Sequence, residues 1–204
     1  ACHRGSCRAD FKIFISAFRH PTICFLSLIF LIFMLGWSNY YTFATIFVFK
    51  KYGFDPLYTT LFMSCLGVGF ALGASVVTQY FTRWLSLKST IITCLILSSL
   101  STLVMLVTTE SIYAWLTVIS TAIFALTAYS ASLPLFSNQV DQNSQGWVMG
   151  ITGAIMALSF GIIGLLGGVI LHHSENIPMI ASIIGLLAAA ALMVFYHPTQ
   201  EGQP

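Results

Sequence analysis

Charge is what this sequence has least of. Acidic and basic side chains make up 7% of its 204 residues, six Asp or Glu against eight Lys or Arg, for a net charge of +2. That balance offers no basic surface to a nucleic acid. No Asp, Glu, Lys or Arg falls in the middle of an apolar stretch, so a buried titratable group of the kind that couples ion and solute movement is missing. Metal-ligand clusters are missing too. The five histidines lie at chain ends or in loops, and Cys2-His3 with Cys7 has no second cluster to complete a site. Cys24, Cys65 and Cys94 sit in apolar stretches and read as small packing residues. No Cys-x-x-Cys pair stands at a membrane face. An intramembrane serine protease needs Gly-x-Ser-Gly, and here Gly36-Trp37-Ser38 is followed by Asn39. The residues give no enzyme chemistry and no cofactor.

What is present is apolar sequence, 57% of the chain. It falls into six stretches, 21–49, 58–80, 90–107, 112–135, 147–171 and 177–196. Each supplies the ~17–25 residues a helix needs to cross a bilayer, the first with enough excess to tilt. Backbone inside lipid must satisfy its own hydrogen bonds, so only helices or closed barrels span it. These runs are too long and continuous for barrel strands of ~10 alternating residues. The expected fold is an all-α membrane protein of six transmembrane helices, 21–197, preceded by a cytoplasmic linker, 1–20, and followed by a cytoplasmic tail, 198–204. The lipid bilayer is its first partner. The chain opens on Ala1 rather than Met, which reads as a processed product or a fragment. The run after Arg19 outlasts a signal-peptide core of ~7–15 residues and lacks a small-x-small cleavage pattern, so it reads as a retained helix.

With six spans both termini share a side. That side collects Arg4, Arg8, Lys12, Arg19, Arg83 and Lys88, against Lys50 and Lys51 opposite. The excess of basic residues places both termini in the cytoplasm, in a cell or bacterial inner membrane.

The chain also repeats its own character. Stretch one carries a polar arc of Ser38, Asn39, Thr42 and Thr45, about 120° wide. Stretch four carries another, Tyr113, Thr117, Ser120, Thr121 and Thr127. Its other face, Trp115, Leu116, Val118, Ile119, Ala122 and Leu126, suits lipid or a neighbouring helix. Stretches two and five are glycine-rich: Gly67, Gly69 and Gly73 in one, Gly146, Gly150, Gly153, Gly161, Gly164 and Gly168, with Ala157, in the other. Glycine costs helix stability, so such a stripe implies close approach of another helix. Stretches three and six are plainer. The order suggests two three-helix repeats of inverted topology, a pattern of secondary transporters.

The loop before stretch five reads Pro134-Leu135-Phe136-Ser137-Asn138-Gln139-Val140-Asp141-Gln142-Asn143-Ser144-Gln145-Gly146, and the helix runs on through Gly161-Ile162-Ile163-Gly164 to Gly167-Gly168. With the turn Lys51-Tyr52-Gly53-Phe54-Asp55, this resembles the carboxy-terminal half of a major facilitator superfamily transporter, nearest the drug:proton antiporter group. Two features depart from that pattern. Leu165 stands where those proteins often carry proline. The loop Thr82-Arg83-Trp84-Leu85-Ser86-Leu87-Lys88 keeps its basic ends without an acid or a glycine.

The resemblance implies a secondary transporter working by alternating access, with drug or metabolite efflux coupled to protons through an amino-terminal six-helix half. The partners so implied are that half or a second copy, and a small-molecule substrate. It also implies inner-gate loops at Arg83, Lys88 and Asp141.

For individual residues two readings stand side by side. Asn39 lines a substrate cavity, or bonds between helices; Ser38, Thr42 and Thr45 line the cavity on the same arc. Thr117, Ser120 and Thr121 line it too, or bond their own backbone. Tyr41 and Tyr113 extend the arcs, or anchor at the interface. Thr152, Met156 and Ser159 form an adaptable pocket wall, or pack. Asp141 orders its loop, or bonds across an inner gate. The alternative function is a non-transporting membrane subunit or truncated fragment with a structural or regulatory role.

Overall fold

In a computed structural model, residues 21–140 and 145–196 are described, and every regular element among them is helical. Six helices are long and apolar enough to cross a membrane. They are α1 (Pro21–Tyr52), α2 (Pro56–Trp84), α3 (Leu87–Val107), α4 (Ser111–Ser137), α5 (Gln145–His173) and α6 (Ile177–Phe195). The chain is an integral, multi-pass membrane protein. The expected linker at 1–20, the tail at 198–204, and Asp141 lie outside the described residues. So do the surroundings of Gly168.

The turns follow from short-range chemistry. Gly53 takes a positive φ of 67°, the left-handed conformation that residues with a Cβ avoid. Asp55 then caps α2, its Oδ1 accepting from Tyr58 N–H at 2.8 Å, with Pro56 pre-set in the first turn. Ser86 caps α3 through Ser89 N–H at 3.2 Å. Two lysines close helix ends elsewhere. Lys51 Nζ donates to Met105 O and Leu106 O at the end of α3, where Tyr52 Oη also donates to Met105 O at 2.8 Å. Lys88 Nζ donates to Val194 O at 2.8 Å and Tyr196 O at 2.5 Å at the end of α6. Each ammonium meets carbonyls that the helix leaves unpaired, at the negative end of its dipole. Lys50 and Glu175 make an ion pair at 3.6 Å between half-exposed side chains, a contact of small energetic weight.

Neighbours are selective. α3 packs on α4 and α6, α1 on α6 and α5, and α2 on α4. α1 is the most enclosed helix, with 61% of an 18-residue apolar stretch buried; α2 and α5 have 22% and 28%. These two are therefore the spans that the chain itself covers least.

The contact of α2 with α4 runs backbone against backbone. A Cβ on Gly69 would lie 2.8 Å from Ile119 O, and one on Gly73 would lie 2.7 Å from Ile123 O. At Gly73–Val77 the helix opens into one π turn. Gly73 O then receives Thr78 N–H, Thr78 Oγ1 at 2.7 Å and, from α4, Thr127 Oγ1 at 3.4 Å. Below that turn, Thr78–Trp84 buries no residue.

Candidate functional site

An aromatic-lined opening lies near the middle of the helices. Phe33, Met34, Trp37 and Tyr41 of α1 form one wall. Phe70 of α2, Ala125, Leu126 and Tyr129 of α4, and Met156 and Phe160 of α5 form the others. The cleft measures about 270 Å³. Its α1 wall comes from a spacing of four, since positions 33, 37 and 41 share one helix face. Trp37 is held by stacking on Tyr40, centroids 5.6 Å apart, and leans on Phe70 at 5.7 Å. Tyr41 meets Phe160 edge to face at 5.7 Å and is the most open wall residue, 37% exposed. A second cleft, about 370 Å³, lies between the end of α1 and the start of α2, lined by Thr45, Ile46, Phe49, Pro56 and Thr59.

Of the expected cavity residues, Tyr41 and Met156 come together in the first cleft, and Thr45 lines the second. The others sit elsewhere. Ser38 and Asn39 are buried, and each donates to Leu35 O at 3.1 Å in its own helix. Asn39 Oδ1 keeps no hydrogen-bond partner among the described residues. Thr42 is half-buried and Tyr113 exposed.

The α4 arc spreads over three neighbouring helices. Thr117 Oγ1 turns back to Tyr113 O at 2.6 Å. Ser120 Oγ contacts Ser101 Oγ of α3 at 3.0 Å. Thr121, fully enclosed, faces the Tyr40 hydroxyl of α1 without closing to hydrogen-bond geometry. Thr127 reaches Gly73 of α2. The opposite face of α4 is mostly helix contact: Val118 and Ala122 are buried, while Leu116 is exposed. On α5, Thr152 donates to Met149 O at 2.9 Å and Ser159 to Ile155 O at 2.8 Å. Hydroxyls tied to their own helix in this way place their protons without a solute.

The glycines divide into two groups. Gly69 and Gly73 abut α4, but Gly67, Gly146, Gly150, Gly153, Gly161 and Gly164 have open space where a Cβ would stand. The α5 stripe thus has no partner within the described residues. Two close approaches had no forewarning in the periodicity: Gly167 against the Phe43 ring, and Gly36 against Gly185.

In the expected gate region, Arg83 is exposed near the end of α2, and Lys88 is engaged by the α6 carbonyls. No group of three or more His, Cys, Asp or Glu able to hold a metal occurs among the described residues.

The aromatic wall was the missed feature. Phe33, Trp37 and Tyr41 were legible as a four-residue repeat, but in so apolar a chain that signal is shared with ordinary packing. No protein-family model matches this sequence, and no curated protein matches it.

Proposed function

We propose that this chain forms one six-helix half of a secondary transporter of the major facilitator type, moving a small solute by alternating access. The observation that carries the reading is the cleft itself: a partly open space near the middle of the spans, walled by four helices. Small-molecule sites in helical membrane proteins form between helices at this depth.

The neighbour pattern supports it. Exchanging α1, α2 and α3 with α4, α5 and α6 turns the α1–α6 contact into α4–α3, and α1–α5 into α4–α2. It leaves α3–α6 in place. Two three-helix units of opposite topology, related by a two-fold axis, have this property. The exposed faces of α2 and α5 are where an amino-terminal half, or a second copy, would complete the solute path. The spans hold no charge at mid-depth, so ion coupling belongs to that other half. By the positive-inside rule both termini are cytoplasmic.

Cysteine accessibility tests the cleft. With the native cysteines replaced, cysteines at Tyr41 and Met156 should react with a water-soluble thiol reagent in membranes, and one at Val118 should not. Equal labelling at all three contradicts a defined solute path. A second reading, a non-transporting membrane subunit, draws on the hydroxyls satisfied within their own helices. It expects Tyr41 and Met156 to stay unlabelled.

A further inference from the structure

We propose that the aromatic cleft selects an uncharged solute of one or two aromatic rings with one hydrogen-bonding group at its edge. The assignment rests on the solute-path reading of the same cleft and adds the chemistry of what it takes.

Size sets the first limit. An apolar cavity of ~150 Å³ accommodates benzene, and drug-sized ligands occupy sites of ~300–1,000 Å³. A cleft of about 270 Å³ fits a one- or two-ring solute and is short of the usual drug-sized range.

The walls set the second. Trp37, Tyr41, Phe70 and Phe160 form a connected set of rings, each within about 6 Å of the next by centroid. A flat guest meets ring edges and faces there, with Met34 and Met156 filling around it.

Charge sets the third. Among the described residues no carboxylate and no basic side chain lines the cleft, so a localised charge would lose its water without gaining a partner. The phenol hydroxyls of Tyr41 and Tyr129 make no hydrogen bond among the described residues. They are the polar handles for an N–H or O–H on the guest.

The test uses the full chain in lipid nanodiscs and fluoroindole as the probe, read by fluorine NMR. A saturable bound resonance is expected, separate from the lipid-partitioned one and displaced by naphthol but not by naphthoate. Phe160→Leu and Tyr41→Leu should each weaken binding about tenfold, the scale of one lost ring contact. Both sites are partly exposed, so the fold is expected to tolerate the changes; gel filtration checks this. If either variant aggregates, the naphthol and naphthoate arms on the unaltered chain still decide.

Signal that rises linearly as in protein-free nanodiscs overturns the proposal. So does displacement by naphthoate equal to that by naphthol, or unchanged binding in two folded variants. Thiol labelling at Tyr41 and Met156 is independent of this result, so a cleft that labels but binds no ring would lose only the ring assignment.

Discussion

Gly36 of α1 and Gly185 of α6 cross with their backbones in contact. A Cβ built on Gly185 would stand 2.9 Å from Gly36 Cα, and one on Gly36 would stand 3.0 Å from Leu186 N. Nothing flexible lies between them, so a methyl group on either must push the helices apart. Gly36→Ala and Gly185→Ala should each destabilise the bundle by about 1–3 kcal/mol. Gly164→Ala has open space around it and should be neutral or stabilising by up to about 1 kcal/mol through helix propensity. Unfolding of the three variants in detergent checks the ordering; equal loss in all three would refute it.

The same contrast bears on what the sequence could say. The six spans were legible because apolar length alone specifies a crossing helix. The observed helices overrun the expected stretches by a few residues: Lys50 to Tyr52 continue α1, and α2, α4 and α5 extend past both ends of theirs. The α5 stripe was visible as a periodic signal, but its partner is not among the described residues. Gly36 and Gly185 are single glycines in separate helices, and only the crossing geometry makes them a pair. The hydroxyl arcs were visible too, yet Ser38 and Thr117, like Thr152 and Ser159 of α5, spend their protons on their own helix carbonyls. Arc position alone does not distinguish that use from a solute contact.

The lysine clamps should carry stability rather than gating. Lys88→Met removes two hydrogen bonds from a charged donor and leaves the Val194 and Tyr196 carbonyls without it. A loss of about 1.5–3 kcal/mol is expected, and Lys51→Met should cost a similar amount at the end of α3. Thermal unfolding with and without each substitution measures it. Full stability in both variants would show that solvent replaces the clamps.

Accessibility should rank the arc residues by their surroundings. Cysteines at Thr117 and Thr121, 5% and 0% exposed here, should label much more slowly than one at Tyr41. Fast labelling at Thr121 would mean that α1 and α4 separate during the working cycle, and would enlarge the path beyond the cleft described.

A further prediction concerns the exposed α5 face. Gly153→Leu and Gly164→Leu should leave the chain folded, because each glycine faces open space, yet should impair assembly with a partner half or second copy. Co-purification from membranes reads this out. Unchanged assembly in both variants would assign that face to lipid.

The most direct test of alternating access uses Tyr41→Cys as the sole cysteine, in the protein as it assembles in its membrane. Sealed vesicles of both orientations are treated with a membrane-impermeant thiol reagent. A solute path that opens to each side in turn predicts labelling in right-side-out and inside-out vesicles alike. Labelling in one orientation only, or in neither, would contradict it.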